Sequence, residues 1–244
     1  MRRFTLLPER VVDGRVTFDA AESRHLARVL RLRPGDTVIA TDGAGRDYTV
    51  RLDRVDAAAT GTVLAVERGV PASPLAITLV QGVAKGDKME AVVRAATELG
   101  VASVRPALCE RTIVRLEAAR WRERARRWQR VAREASKQCG RAAIPEVEPP
   151  RPLVECLATD APADVNLCFW EGGGVALDQA LAGVTSPRSA LLVIGPEGGL
   201  APGEVDMARA RGLTITSLGP RILRTETAGP AVIAILQARF GDLR

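Results

Sequence analysis

Histidine is almost absent from this chain. A single residue, His25, serves 244 positions, so two-histidine metal sites of the His-Glu-x-x-His kind cannot be built, and a Ser-His-Asp or Cys-His arrangement would have to use that one ring. It sits in Ser23-Arg24-His25-Leu26-Ala27-Arg28-Val29-Leu30, a short helical pattern that reads as structural. Cysteine is sparse as well: Cys109, Cys139, Cys156 and Cys168 lie 30, 17 and 12 residues apart. None of those gaps has the paired spacing of a zinc or redox motif, which leaves free and mostly buried thiols. No run approaches the ~18 consecutive apolar residues of a membrane span, and Met1-Arg2-Arg3-Phe4-Thr5-Leu6-Leu7-Pro8 reaches proline before a signal-peptide core could form. A cytoplasmic protein with no membrane partner is expected.

Lysine is nearly missing too. Lys85, Lys88 and Lys137 are the only three among 35 basic residues. The formal charge of +6 is unevenly spread: +2 over residues 1 to 70, zero over 71 to 104, +8 over 105 to 141 and −4 over 142 to 244. Arginine's planar fork suits phosphate oxygens and stacks on bases, so a nucleic acid is the partner this cluster suggests. On a helix from about Ala118 to Cys139, Trp121, Ala125, Trp128, Ala132, Ala135 and Cys139 form one apolar stripe. Arg120, Arg122, Arg124, Arg126, Arg127, Arg130, Arg133 and Lys137 cover the remaining face, which reads equally as a solvated face or as a phosphate-binding one.

Hydrophobic residues make up 46% and charged residues 26% of the chain, the balance of a folded globular protein, and the length favours two domains at ~150 residues each. Residues 1–72 show short alternating runs (Val11-Val12, Arg15 to Phe18, Thr37 to Ala40, Tyr48 to Leu52, Thr62 to Val66) interrupted by one helix, about Ala20 to Leu32. This is a small β-rich, barrel-like module. Val70-Pro71-Ala72-Ser73-Pro74 makes a stiff break. Residues 73–244 alternate buried strands with helices: strands near Ala76 to Val83, Val101 to Leu108, Val165 to Trp170, Ala190 to Gly195 and Leu213 to Leu218, a helix at Asp87 to Leu99, and a final apolar helix, Ala231 to Phe240, with Thr225 or Thr227 as its cap and Pro230 in its first turn. That order predicts an α/β domain with a mostly parallel sheet, whose ligands bind at the carboxyl ends of the strands.

Three of those strand ends carry unusual loops. Cys168-Phe169-Trp170-Glu171-Gly172-Gly173-Gly174 sets a flat indole beside glycines that permit close backbone approach. Gly195-Pro196-Glu197-Gly198-Gly199 is neither a phosphate loop nor Gly-x-Gly-x-x-Gly, which removes the dinucleotide reading. Pinned backbone groups with Glu197 as the nearby charge suit a neutral or cationic small molecule. The third loop is Ser217-Leu218-Gly219-Pro220-Arg221-Ile222-Leu223-Arg224-Thr225-Glu226-Thr227-Ala228-Gly229-Pro230, running into the last helix.

The second and third loops resemble the cofactor motifs of the SPOUT class, the trefoil-knotted S-adenosylmethionine-dependent RNA methyltransferases. Gln81 to Glu90, Ala96-Thr97-Glu98-Leu99-Gly100, Glu110-Arg111, Arg127-Trp128 and Glu134 to Arg141 narrow the resemblance to the small-subunit ribosomal RNA uridine N3-methyltransferases, and Arg24-His25-Leu26 to Gly35-Asp36 is similar to that family's PUA-like domain. The resemblance spans essentially the whole chain. It implies a deep trefoil knot in the C-terminal domain, a homodimer, no metal, and methylation of N3 of a uridine in the decoding region of 16S ribosomal RNA, as free RNA or in the small subunit. S-adenosylmethionine would be held by Phe169, Trp170, Glu171, Gly172, Ile194, Gly195, Pro196, Glu197, Gly198, Gly199, Leu218, Gly219, Ile222, Leu223, Arg224, Thr225 and Ala228. Arg224 or Arg221 would stabilise the uridine anion, with Glu226 or Glu197 accepting the proton or orienting the base; helix N-terminal stabilisation is the other reading of Glu226. RNA contacts fall to Arg24, Arg28, Arg31, Lys85, Lys88, Arg111, Arg115, Arg127, Arg130, Lys137 and Arg141. A ribose 2′-O-methylating SPOUT enzyme and a non-catalytic RNA-binding assembly factor remain the alternatives.

Overall fold

The structure, a computed structural model, describes residues 2–158 and 162–243. The chain forms two compact units, one of Met1–Ala72 with Arg133–Ile144 and the other of Ser73–Ala132 with Pro145–Arg244.

The first unit is built on a six-stranded sheet. Strands β1 (Arg3–Thr5), β2 (Val11–Val12), β3 (Arg15–Thr17), β4 (Thr37–Thr41), β5 (Arg46–Arg54) and β6 (Thr60–Arg68) lie in the order β1-β4-β5-β6-β3-β2. The β1–β4 pair is parallel and the others are antiparallel. The sheet curls into a half-barrel, open at β1 and β2 rather than closed. Alternation along the strands turns Phe4, Val16, Val38, Val50 and Leu52 to a core shared with Phe18 and Leu26. The helix expected over about 20 to 32 is shorter. Helix α1 (Ala20–Arg24) is capped by Asp19, whose carboxylate accepts from the Ala21 and Glu22 amides, and a π turn over His25–Val29 follows. That wide turn keeps Leu26 in the core while leaving Arg24 and Arg28 exposed, and it ends before Arg31, which has a left-handed φ of +52°.

Residues 133–144, which the sequence pattern places with the second domain, pack with the first unit. Ala143 bridges Ala44, the Thr41 hydroxyl donates to the Ala142 carbonyl at 3.1 Å, and Lys137 Nζ lies 2.5 Å from Glu22 Oε1. The break at 70–74 marks where the chain leaves this unit; nothing in local composition signals its return.

The second unit carries strands β7 (Ala76–Gly82), β8 (Ser103–Leu108), β9 (Glu146–Val147), β10 (Arg151–Pro152), β11 (Val165–Phe169), β12 (Val175–Ala176), β13 (Ser189–Ile194) and β14 (Thr214–Ser217). Their order is β10-β8-β7-β13-β11-β14-β12, with β9 on β8, and every pair is parallel. The expected mostly parallel sheet is thus entirely parallel, and its central strands are buried on both faces. Helices α2 (Lys88–Glu98), α3 (Ala118–Cys139), α4 (Leu153–Cys156), α5 (Leu177–Ala180), α6 (Pro202–Ala210) and α7 (Thr225–Phe240) complete the chain. Met89, Val92, Val93 and Ala96 form the buried face of α2, which packs on α7. Helix α7 starts six residues earlier than the pattern suggested, with Pro230 inside it and Arg224 at its N-cap without a side-chain cap bond. Gly229 makes this possible, because the residue before a proline normally resists the helical region through its own Cβ.

Trp121, Ala125, Trp128, Ala132 and Ala135 of the α3 stripe are buried, but Cys139 is exposed. Burial of the other three thiols pushes Cys156 up to about 11 and Cys168 to about 12, and Cys109 higher still. They are inert core residues.

Candidate active site

The carboxyl ends of β11, β13 and β14 converge on one cleft of about 680 Å³. Phe169, Trp170 and Glu171 leave β11, and Ile194 and the Gly195–Gly199 loop leave β13. Thr216, Ser217 and residues 218–224 leave β14, and Thr225, Glu226 and Ala228 open α7. Lys88, at the start of α2, is also in the wall. Every residue expected to bind the cofactor lies here except Gly172. Its place is behind the wall: a Cβ on Gly172 would sit 2.4 Å from Trp170 Cζ2, so the bare glycine lets the indole fold over the backbone.

All four candidate catalytic side chains, Arg221, Arg224, Glu197 and Glu226, line the cleft. Arg224 is 83% exposed, 4.0 Å from Glu226, and Arg221 is exposed, so both guanidinium groups stand at the mouth. Lys88, expected among the RNA contacts, is placed otherwise. Its ammonium lies 3.4 Å from Glu197 Oε1 and 3.3 Å from Glu226 Oε2. Glu197 Oε1 also accepts from the Lys85 amide at 3.0 Å. Desolvation acts to lower the Lys88 pKa, but the bonds to Glu226 and Glu197 outweigh it and raise the value above 10.5. The Glu226 carboxyl is held below its ordinary 4.5, first by its own backbone N–H in the first turn of α7 and then, against some desolvation, by Lys88. Glu226 therefore sits in the first turn of α7, where a carboxylate suits the helix N-terminus, and also faces the cleft. Ser217 and Pro220 belong to the third loop but are not marked out in it as wall residues, and Lys88 and Thr216 have no sequence signal as wall residues.

The candidate RNA contacts divide. Arg24, Arg28 and Arg31 are exposed on the first unit. Lys85, Arg115 and Arg130 are exposed on the second; Arg111 donates to the Gly198 carbonyl at 3.1 Å, and Arg127 pairs with the buried Glu90 at 2.8 Å. Arg141 is half-buried. Lys137 leaves the set. It is buried between Glu22 and Glu134, at 2.5 and 2.8 Å, so its charge is neutralised inside the first unit.

Residues 71–237 match the family model of an RNA methyltransferase domain, and residues 18–56 match that of an RNA methyltransferase PUA domain. The chain belongs to the RNA methyltransferase family of ribosomal RNA small subunit methyltransferase E. It is 32% identical to the Synechocystis member over 97% of this chain and 77% of that one. The Neisseria gonorrhoeae methyltransferase E, solved bound to S-adenosylmethionine, superposes with a TM-score of 0.89 at 34% identity over the whole of both chains. A putative methyltransferase of Legionella pneumophila, also solved with S-adenosylmethionine, gives 0.91 at 30% identity over 99% of this chain and 98% of that one. The parallel sheet with α7 packed back on β7 and β13 is the knotted SPOUT fold, preceded by a PUA-like half-barrel. Among the described residues no group of three or more metal-ligating side chains occurs, and no helix is long and apolar enough to cross a membrane.

Proposed function

We propose that this protein methylates N3 of a uridine in 16S ribosomal RNA of the small subunit, in the decoding region, with S-adenosylmethionine as methyl donor. The observation that carries the reading is the convergence of three glycine-bearing strand ends on one cleft with an apolar wall and ionised groups at its mouth. The residues fit the donor. Trp170, Leu218, Ile222 and Leu223 supply apolar faces for an adenine, and the backbone groups of 195–199 and 218–224 supply polar contacts without side-chain bulk.

Bound S-adenosylmethionine supplies a methyl group already made electrophilic by its sulfonium. The protein's own work is to align the uracil N3 with it, relieve N3 of its proton and support negative charge on the flanking carbonyl oxygens. Arg224 or Arg221, always charged, provides that support. Glu226 or Glu197 accepts the N3 proton as the methyl group is transferred and passes it on to solvent, or orients the base through the N3–H; the lowered pKa keeps the Glu226 carboxylate ionised and ready to accept. The exposed arginines of α3 with Arg111 and Arg115 hold phosphates, and Arg24, Arg28 and Arg31 hold a neighbouring element of the same RNA. A ribosomal substrate places the protein in the cytoplasm. A second copy of the chain completes the enzyme as a homodimer, a reading supported by the exposed Ile235 of α7, at 43%, and by Ile222, a cleft-wall residue that is still 81% exposed in one copy.

The test mixes the protein with labelled S-adenosylmethionine and small subunits lacking the mark, digests the RNA and identifies the labelled nucleoside. N3-methyluridine is expected. Label in a 2′-O-methyl nucleoside would overturn the N3 assignment while keeping the fold, and donor binding with no transfer to free RNA or subunits would favour an assembly factor. Light scattering during size-exclusion chromatography tests the dimer; a monomer mass would refute it.

A further inference from the structure

We propose that Gln81 is a positioning residue for the donor cleft, acting through the Thr225 hydroxyl on the Gly195 carbonyl. Gln81, in β7, is fully buried and does not line the cleft. Its Nε2 lies 2.8 Å from Thr225 Oγ1 and 3.1 Å from the Gly82 carbonyl oxygen. The second partner decides which way the amide faces, since a carbonyl oxygen can only accept, and a reversed amide would set oxygen against oxygen. Gln81 therefore donates to Thr225. The Thr225 hydroxyl is left with its one proton free to donate onward, and it does so to the Gly195 carbonyl at 2.6 Å.

The relay has one direction and joins three segments far apart in sequence: the end of β7, the first residue of α7, and the 195–199 loop in the cleft wall. Those segments meet where α7 packs back on the paired strands β7 and β13. Because the hydroxyl cannot rotate away without losing both bonds, the Gly195 peptide is held at one angle, and with it the backbone groups the loop presents to the donor. Thr225 needs its oxygen here, not its methyl group. Gln81 needs an amide, since a carboxylate in its place would accept from Thr225 and turn the hydroxyl away from Gly195.

The inference rests on the reading that this cleft binds S-adenosylmethionine, and the experiment separates the two. Calorimetric titration of S-adenosylmethionine into the full chain comes first, followed by steady-state methylation of subunits, for the wild type, Q81L, Q81E, T225V, T225S and the Q81L/T225V pair. Loss of one buried hydrogen bond corresponds to about tenfold in affinity, so Q81L and T225V are expected to weaken binding by about that factor, Q81E by more, and T225S by much less. The change should appear in KM for the donor, with kcat at saturating donor little altered. The double variant should be no weaker than the worse single one, since both break the same chain. Thermal melting of each variant, with T225S as the conservative partner, keeps the result readable where a substitution unfolds the protein. No binding by the wild type would overturn the donor reading and the proposal with it. Wild-type binding matched by T225V, or fully additive effects of Q81L and T225V, would overturn the proposal alone.

Discussion

Substituting Gly82 by alanine tests whether the close approach of the end of β7 to the 195–199 loop is what shapes the cleft. A Cβ built on Gly82 would lie 2.3 Å from Pro196 N, 2.5 Å from Pro196 Cδ and 2.7 Å from the Gly195 carbonyl carbon. Ordinary van der Waals separation begins near 3.4 Å, so backbone, not a flexible side-chain tip, must retreat by about 1 Å. Gly82 does not have a left-handed φ, so alanine brings no local strain and gains up to about 1 kcal/mol from the less flexible unfolded chain. Against this stand overpacking, about 1–3 kcal/mol, and the weakening of the Thr225 to Gly195 bond, about 1 kcal/mol. A net loss of about 1–3 kcal/mol is expected from urea unfolding, with S-adenosylmethionine affinity falling tenfold or more because the displaced peptide belongs to the wall. Gly203, in α6, is the control, since a Cβ there meets nothing within 4 Å. G82A with wild-type stability and wild-type affinity would refute the reasoning; G203A should leave binding unchanged.

In K137M, removal of an ammonium buried against Glu22 strands a carboxylate in the first unit, and denaturant unfolding should show a loss of about 3–5 kcal/mol, partly recovered in the K137M/E22Q pair. Replacing Arg120, Arg122 and Arg126 by alanine should weaken RNA binding across sequences and flatten its log–log salt dependence by about one unit of slope for each phosphate no longer neutralised; an unchanged slope would remove the α3 face from the interface. The Glu226 pKa is lower in the folded protein than its ordinary 4.5, so the stability it contributes is complete above that value and is lost as pH falls through the lower folded value. The difference in melting temperature between wild type and E226Q should therefore stay level between about pH 6 and 9 and shrink only in acid. A difference that disappears near neutrality would contradict the Lys88–Glu226 pairing.

Much of the architecture can be read along the chain because it depends on near neighbours. Alternation in Tyr48 to Leu52 and the continuous apolar run of β13 distinguish a half-exposed antiparallel sheet from a parallel one buried on both faces, and the spacing of Trp121, Trp128 and Ala132 gives one face of α3. The three loops announce themselves through residues that ordinary turns do not need, and the cleft they build contains nearly all the side chains expected of it. What lies opposite a residue is another matter. Lys88 and Lys137 look alike in sequence, each among charged neighbours, yet one stands between two carboxylates in the cleft wall and the other is buried within the first unit. Gly172 and Gly82 look like loop and strand glycines until the indole and the Pro196 peptide lying against them are seen. Gln81 reads as one polar residue in an apolar strand, and only the return of α7 gives it Thr225 as a partner. Local pattern determined which faces are apolar and where the backbone can turn; the crossing of distant segments decided which charges are neutralised, which glycines are obligatory and which buried amide orients the cleft, because those depend on pairings separated by as many as 144 residues.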